Sequence, residues 1–390
     1  MRILFTGGVT GGHIYPLVSV AEKILKAGNA DAGFADLYYV GVPGVYQQLL
    51  ESKGIIVSRI ASAKLRRGDV LRNLIDLPVF FISVLQALWQ VFWIMPDVLF
   101  SKGGPGALPV VLACAFYRIP IIIHESDSVA GLTSAASARF AKRIGIAYVA
   151  AKESFIPRNA SERKRSMIEQ KIALIGNPIR EFFFANTEVD KEGAKRLFDF
   201  DPAKPLILIM GGSQGAVRIN EFILSVAEDL LSQNMQILHQ VGTNNFTAAE
   251  AEMRVITQKY SDALRRSYRM VPYFEQDLRE AYLAADLVIS RAGSGSIFEI
   301  AAMGCPAILI PLPESISRDQ VKNAFEYAAT GAAITLEESN LTKHIFFNQL
   351  ERLTANPETF ASMAAAAKAF ARPDAAETLA SEIIRLGSRQ

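Results

Sequence analysis

The feature that most constrains this chain is the recurrence of short, uninterrupted apolar runs, most of them breaking at a glycine or a proline ahead of a helix-like stretch. The first half carries ILFTG (3–7), LYYVG (37–41), VLFSK (98–102), IPIIIH (119–124) and RIGIAYV (143–149), with helical stretches such as 16–27 and 105–117 between them. The second half restarts with LILIMGG (206–212) and continues with ILHQVG (237–242), DLVISRAG (286–293) and PAILIP (306–311). A strand with one wet face alternates apolar and polar residues. A continuous Ile/Val run is apolar on both faces, which marks a parallel sheet covered by helices on each side. Two such series predict an α/β chain of two Rossmann-like domains. The length of 390 residues suits two domains, and half the residues are apolar, enough to give each a core.

The joint is expected at GNPIREFFFAN (176–186), where a Gly-Asn-Pro turn closes the first series. This gives an N-terminal domain over 1–180 and a C-terminal domain over 181–369, with the stretch 370–390 expected to pack back on the first. The charge run SERKRS (161–166) reads as a solvated loop.

Composition narrows the function classes. A formal net charge of +2 argues against broad nucleic-acid binding, which leans on a basic excess. Cys114 and Cys305 lie far apart in apolar surroundings and read as small core residues of a protein in a reducing compartment. His13, His124, His239 and His344 show no metal-ligand spacing, so neither a metal site nor a cofactor is expected. Met1-Arg2 runs directly into a strand-like segment, so no signal peptide is expected and the chain should remain in the cytoplasm. Residues 77–95 (LPVFFISVLQALWQVFWIM) carry no charge. The run is borderline in length for a span, and crossing a bilayer would split one domain between its two sides. Two readings stay open: a core helix, or a helix with one face in a membrane surface beside Lys64, Arg66, Arg67 and Arg72.

Four glycine-rich turns each follow a strand and open a helix. Ligands of open parallel sheets collect at the carboxyl ends of the strands, and a helix N-terminus offers free N–H groups and partial positive charge to a phosphate. The first turn, Gly7–Gly12, ends unusually in His13. A helix start disfavours the imidazolium, so His13 is a candidate neutral base; a capping or packing histidine is the alternative. The second, Lys102-Gly103-Gly104-Pro105-Gly106, suits an anion contact or a plain tight turn equally. The third, Gly211-Gly212-Ser213-Gln214-Gly215-Ala216, reads as a diphosphate cradle or an ordinary strand-to-helix turn. The fourth places Gly293, Ser294, Gly295 and Ser296 before Glu299, a carboxylate suited to two ribose hydroxyls or simply a helix-start charge. Asp319, Gln320 and Asn323 share one helix face and could serve a sugar or face solvent. No GxGxxG followed by an acidic residue appears, which disfavours a redox enzyme.

The segments GGVTGGHIYP (7–16), HESDSVAGLT (124–133), GNPIR (176–180), GGSQGA (211–216), SRAGSGSIFEIAAMGCPAILIP (290–311) and DQVKNA (319–324) occur in order along nearly the whole chain. Together they resemble the MurG family of N-acetylglucosaminyltransferases. The resemblance implies a GT-B fold, two Rossmann-like domains whose parallel sheets face each other across a cleft. It implies inverting transfer of GlcNAc from UDP-GlcNAc to the 4-hydroxyl of the muramoyl sugar of undecaprenyl-linked lipid I, giving lipid II, by a peripheral protein on the cytoplasmic, inner-leaflet side of the cell membrane. By motif, Ser213 would meet the donor diphosphate, Glu299 the ribose and the backbone after Phe274, at Glu275, the uracil. Gln320 and Arg180 would lie near the donor, as would Asp127 and the Ser294-Gly295-Ser296 turn. Thr10, Gly11 and Gly12 would face the donor sugar and acceptor phosphates, Gly103, Gly104 and Glu125 the acceptor side, and His13 would be the base or a positioning group.

The chain departs from the family pattern in three places. Val9 replaces a glycine, Ser126-Asp127 stand where Gln-Asn is usual, and Asp319 stands where histidine is frequent. A carboxylate cannot donate the amide hydrogen bonds of Asn, so the two added carboxylates are expected either to change the donor sugar or to recruit a cation. The other readings are a related GT-B transferase with another lipid acceptor, a UDP-sugar epimerase, and a nucleotide-sugar binder without catalysis.

Overall fold

The computed structural model describes residues 1–390 apart from 29–34, 63–75, 186–187, 213–214, 259, 275 and 389–390. The basic residues Lys64, Arg66, Arg67 and Arg72 therefore lie outside the described residues. Two compact units result: Met1–Glu181 with Arg372–Gln390, and Phe182–Ala371.

The first unit holds a sheet of 7 strands in the order β3-β2-β1-β4-β5-β6-β7. These are β1 (Arg2–Thr6), β2 (Asp36–Gly41), β3 (Ile55–Arg59), β4 (Val98–Ser101), β5 (Ile121–Glu125), β6 (Arg143–Ile146) and β7 (Ile172–Leu174). The second holds 6 strands in the order β10-β9-β8-β11-β12-β13. These are β8 (Leu206–Met210), β9 (Gln236–Gln240), β10 (Tyr268–Val271), β11 (Leu287–Ser290), β12 (Ala307–Leu309) and β13 (Ala333–Thr335). Every pairing among them is parallel.

The apolar runs form strands because both their faces are buried. In β1, Ile3 and Phe5 pack with Leu17, Ile24 and Ile383, whereas Leu4 packs on the other face with Val91, Val110 and Ile123. The first face is covered by two helices, Gly11–Gly28 and Ala375–Gly387, which lie against each other. The last helix is therefore part of the first unit's core. The opposite face is covered by Leu77–Ile94 and Ala107–Phe116.

Two sequence readings change. The four strands that the apolar runs missed, β3, β7, β10 and β13, are the outer strands of the two sheets. Their residues are mostly half-exposed or exposed, so they lack the continuous apolar signal. The charge run 161–166, expected as a loop, begins the helix Glu162–Glu169. Ser161 Oγ caps it by accepting from Lys164 N, and Arg165 pairs with Glu153 at 3.2 Å, so this helix stands without burying any residue.

The reading of 77–95 as a helix buried on all sides does not hold. Leu77–Ile94 buries Ser83, Ala87, Val91 and Ile94 but leaves Leu85, Trp89 and Trp93 more than 60% exposed. It ends where Met95 takes a left-handed conformation before Pro96, with Arg2 Nη1 donating to Ile94 O at 2.7 Å.

Ile383→Ala is expected to destabilise the first unit by about 2–5 kcal/mol, because Ile383 is fully buried between the last helix and the sheet. Urea unfolding of the full chain checks this through the midpoint of the first unit's transition.

Candidate functional site

In the first unit the site is built around His13. Thr10 O accepts the first helical hydrogen bonds from His13 N and Ile14 N, so the chain turns from glycine loop to helix at this point. Thr10 Oγ1 lies 2.8 Å from His13 Nδ1 and orients the ring. The ring fits because two glycines make room. A Cβ on Gly8 would stand 3.0 Å from His13 Nδ1, and one on Gly104 would stand 3.0 Å from Nε2 and 2.7 Å from Gly8 Cα. Gly104 also has φ +83°, a backbone that L side chains rarely adopt. His13 as a whole is half-buried, but its ring is walled in at this slot. Desolvation, with the Lys102 charge adding to it, lowers its pKa to about 4, so the imidazole is neutral at pH 7.

Beside it lies a buried ionisable network. Lys102 Nζ donates to His124 Nδ1 at 2.6 Å and to Ser126 Oγ. His124 Nε2–H donates to Gly176 O at 2.8 Å, and Ser126 Oγ donates to Asn177 Oδ1 at 3.0 Å. Burial lowers the Lys102 pKa to about 8, against the pull of the Glu125 and Asp127 carboxylates. Burial raises that of Glu125 to about 7, with the charge of Asp127 adding. Glu125 accepts from Asp127 N at 3.2 Å and Gly131 N at 3.1 Å, so its carboxylate folds the HESDSVAG loop over the end of β5. Arg180 stacks its guanidinium 5.0 Å over the Tyr15 ring, two residues past His13. Thr10, Gly11, Gly12, Gly103, Gly104, Asp127 and Arg180 thus belong, with His13 and Glu125, to one carboxyl edge of the first sheet.

The second unit has an open pocket of ≈520 Å³ lined by Phe198, Thr243, Arg269, Pro272, Tyr273 and Phe274. Gln240, at the end of β9, accepts from Phe274 N at 3.2 Å and donates to Gly212 O at 3.2 Å, tying the cavity wall to the glycine turn after β8. The turn after β11 opens the helix Ser294–Met303, with Gly293 at its N-cap and Ser294, Gly295 and Ser296 in its first turn. Glu299 is half-exposed on that helix and accepts from Tyr282 Oη at 3.4 Å. Gln320 Oε1 accepts from Leu312 N at 3.1 Å. Asn323, offered as a sugar contact or a solvent residue, is neither: it is fully buried and donates to Ala292 O at 3.3 Å. Ser213 and Glu275 lie outside the described residues. Reading by motif passed over Lys102 and Arg291 as structural groups, although a cation ending an otherwise apolar strand (VLFSK, VISR) was the available signal.

The family model for the glycosyltransferase family 28 N-terminal domain matches residues 3–146, and that for the family 28 C-terminal domain matches 206–379. A protein of Treponema pallidum (strain Nichols) is 33% identical over 352 residues, 90% of this chain and 86% of the relative. It is named UDP-N-acetylglucosamine--N-acetylmuramyl-(pentapeptide) pyrophosphoryl-undecaprenol N-acetylglucosamine transferase. A Bacillus anthracis protein of the same name, numbered 2, is 33% identical over 363 residues, 92% of this chain and 93% of the relative. Among solved structures, Acinetobacter baumannii MurG superposes with a TM-score of 0.72 at 25% identity, covering 98% of this chain and 99% of that one. The chain belongs to the MurG family. The fold is GT-B, shared with glycosyltransferases such as CalG4, the calicheamicin glycosyltransferase (TM-score 0.66, 13% identity, 100% of this chain and 98% of that one). The Neisseria meningitidis UDP-GlcNAc 2-epimerase, at TM-score 0.65 and 13% identity over 99% of this chain and 100% of that one, shares the fold alone. The chain is therefore a glycosyltransferase of the MurG family, and the carboxyl edges described above are where its chemistry is to be sought.

Gly104→Ala is expected to destabilise the chain by roughly 1–3 kcal/mol more than Gly54→Ala. Both glycines have positive φ, but a Cβ at Gly54 meets nothing within 4 Å whereas one at Gly104 strikes the Gly8 backbone. Denaturant midpoints of the two variants check this.

Proposed function

We propose that this chain transfers GlcNAc from UDP-GlcNAc, with inversion, to the 4-hydroxyl of the muramoyl sugar of lipid I, forming lipid II at a membrane surface. The observation that carries the reading is the 33% identity, over nine-tenths of the chain, to transferases of that name. In this reading the second unit takes the donor. The cavity at Phe274 holds the uracil, Glu299 the ribose, and the helix start at Ser294–Ser296 the diphosphate, with Gln320 near the sugar. Charge gathering on the departing UDP is met by helix N-termini. In the first unit, His13 takes the proton of the attacking hydroxyl. A neutral imidazole at pH 7 suits that role, and the 2.8 Å contact with Thr10 fixes its orientation. Gly103, Gly104 and Glu125 serve the acceptor side. Asp127, where the family has Asn, supports a test of donor choice.

The membrane contact assigned here is the outer face of Leu77–Ile94. Phe81, Leu85, Trp89, Phe92 and Trp93 are all exposed on it. Its inner face packs in the first unit's core through Ala87, Val91 and Ile94, so the helix lies along a surface and does not cross one. An acceptor on a lipid chain calls for such a face.

The deciding assay is UDP release from UDP-GlcNAc with and without a short-chain lipid I analogue, repeated with UDP-GalNAc and UDP-glucose. Release that requires both UDP-GlcNAc and the analogue supports the assignment; release with another donor alone overturns it, and Asp127→Asn then shows whether that residue is the cause. His13→Ala is expected to lower kcat by about 10²–10⁴-fold. The acid limb of the unsubstituted enzyme should fall near pH 4: a base works deprotonated, so activity is lost as pH drops through the lowered pKa, not at the ordinary 6.5. Trp89→Glu combined with Trp93→Glu should weaken sedimentation with anionic vesicles by roughly tenfold or more while leaving UDP binding unchanged.

A further inference from the structure

The two sheets share a detail that the transfer reading leaves unused. β4 lies between β1 and β5, and β11 lies between β8 and β12, so the two occupy equivalent places. Each ends in a serine followed by a basic residue and a turn: Ser101-Lys102-Gly103 and Ser290-Arg291-Ala292. A cation is unexpected there, because Lys and Arg are almost never buried unless paired. Yet Lys102 is 3% exposed and Arg291 8%.

Both make the same two-sided connection. On one side the backbone reaches the end of the neighbouring strand: Lys102 N donates to Thr6 O at 2.9 Å, and Arg291 N to Met210 O at 3.4 Å. On the other the side chain crosses the next strand end. Lys102 Nζ donates to His124 Nδ1 at 2.6 Å and to Ser126 Oγ, at the end of β5 and just past it. Arg291 Nη1 donates to Ile310 O at 3.2 Å and Pro311 O at 3.3 Å, just past β12, while Nη2 pairs with Glu338 at 2.5 Å. In each unit a buried cation therefore ties together three adjacent strand ends at the edge where ligands of parallel sheets bind.

The groups next to these ties are the candidate ligand groups. Gly103 and Gly104 follow Lys102 directly, and Gly104 forms one wall of the His13 slot. Ala292, next to Arg291, accepts from Asn323, and Leu312, next to Pro311, donates to Gln320. The helix Arg318–Ala328 is thus pinned on both sides of the Arg291 side chain. Gly293 and Ser294, which begin the other donor helix, follow within three residues. Stability alone is a weak reason for such groups, since a buried ion pair is often replaceable by apolar side chains without loss. A planar guanidinium, however, holds two adjacent carbonyls and a carboxylate in fixed relation, which an apolar side chain cannot do.

We infer that Lys102 and Arg291 are equivalent positioning residues, Lys102 setting the acceptor-side turn that holds His13 and Arg291 setting the donor-side turns that carry Ser294 and Gln320. The inference rests on the donor and acceptor assignment above. The test compares the full-length chain with Lys102→Met and Arg291→Met. It measures UDP affinity by calorimetry, KM and kcat for UDP-GlcNAc and the lipid I analogue, and melting temperature. Arg291→Met should weaken UDP binding and raise the UDP-GlcNAc KM about tenfold or more, with the acceptor KM within twofold. Lys102→Met should do the reverse, lowering kcat or raising the acceptor KM about tenfold with UDP affinity within twofold. Arg291→Lys should recover part of the donor loss. Folded variants with unchanged constants, or with equal losses for both substrates, overturn the inference. Where a methionine variant does not fold, Arg291→Lys and Lys102→Gln carry the same comparison, and the absence of a split between substrates again overturns it. Failure of the donor assignment looks different: the unsubstituted chain itself then gives no heat with UDP.

Discussion

The interior strands of a parallel sheet covered by helices on both faces have no free surface except their ends. Backbone hydrogen bonds are consumed by the neighbouring strands, and side chains by the helices above and below. In β1 this is visible residue by residue, with Ile3 and Phe5 turned to one helical layer and Leu4 to the other. Chemistry can then enter where a strand stops and the chain turns into a helix, and several candidate groups are at or near such a stop. His13 follows β1, Gly103 and Gly104 follow β4, Glu125 ends β5, and Ser294 follows β11.

The two edges are electrically different. The first unit concentrates buried titratable groups: a lysine near two carboxylates, and two histidines that burial, with the lysine charge adding, keeps uncharged. Desolvation and the Lys102 ammonium act in the same direction on His13, so the same ammonium that ties the strand ends also favours the form of the imidazole able to accept a proton. In the proposed transfer the second unit relies instead on a helix start, on Gln320 and on a cavity of aromatic and polar walls. Such an edge suits a phosphate and a base, whose recognition needs donors and shape more than titration.

Much of this was legible before any coordinates. The interior strands β1, β2, β4, β5 and β6 of one sheet, and β8, β9, β11 and β12 of the other, announce themselves as largely apolar runs, because a strand buried on both faces has no solvent-facing side to alternate with polar residues. The outer strands β3, β7, β10 and β13 do not, since one side of each has no strand partner and their residues meet solvent. The helix Glu162–Glu169 was hidden for a related reason: without a buried face it shows no apolar period, and its support is a serine cap and ion pairs. The glycine turns could be found, and His13 with them, because a helix-opening turn needs glycine in a particular place.

The amino-acid sequence by itself determined the twin α/β architecture, the family and the turns where ligands meet the chain, since these depend on local pattern and on motifs in order. Only the tertiary structure decided which polar residues are ligand-ready and which are structural. Asn323 shares a helix face with Gln320, yet it is buried against Ala292. Lys102 and His124, 22 residues apart, become partners at 2.6 Å. Whether Leu77–Ile94 was core or surface was likewise undecided by its composition, because an apolar side chain carries no mark of whether a neighbour will cover it. Burial is a property of what packs against a residue from elsewhere in the chain, and that information exists only once the chain has folded.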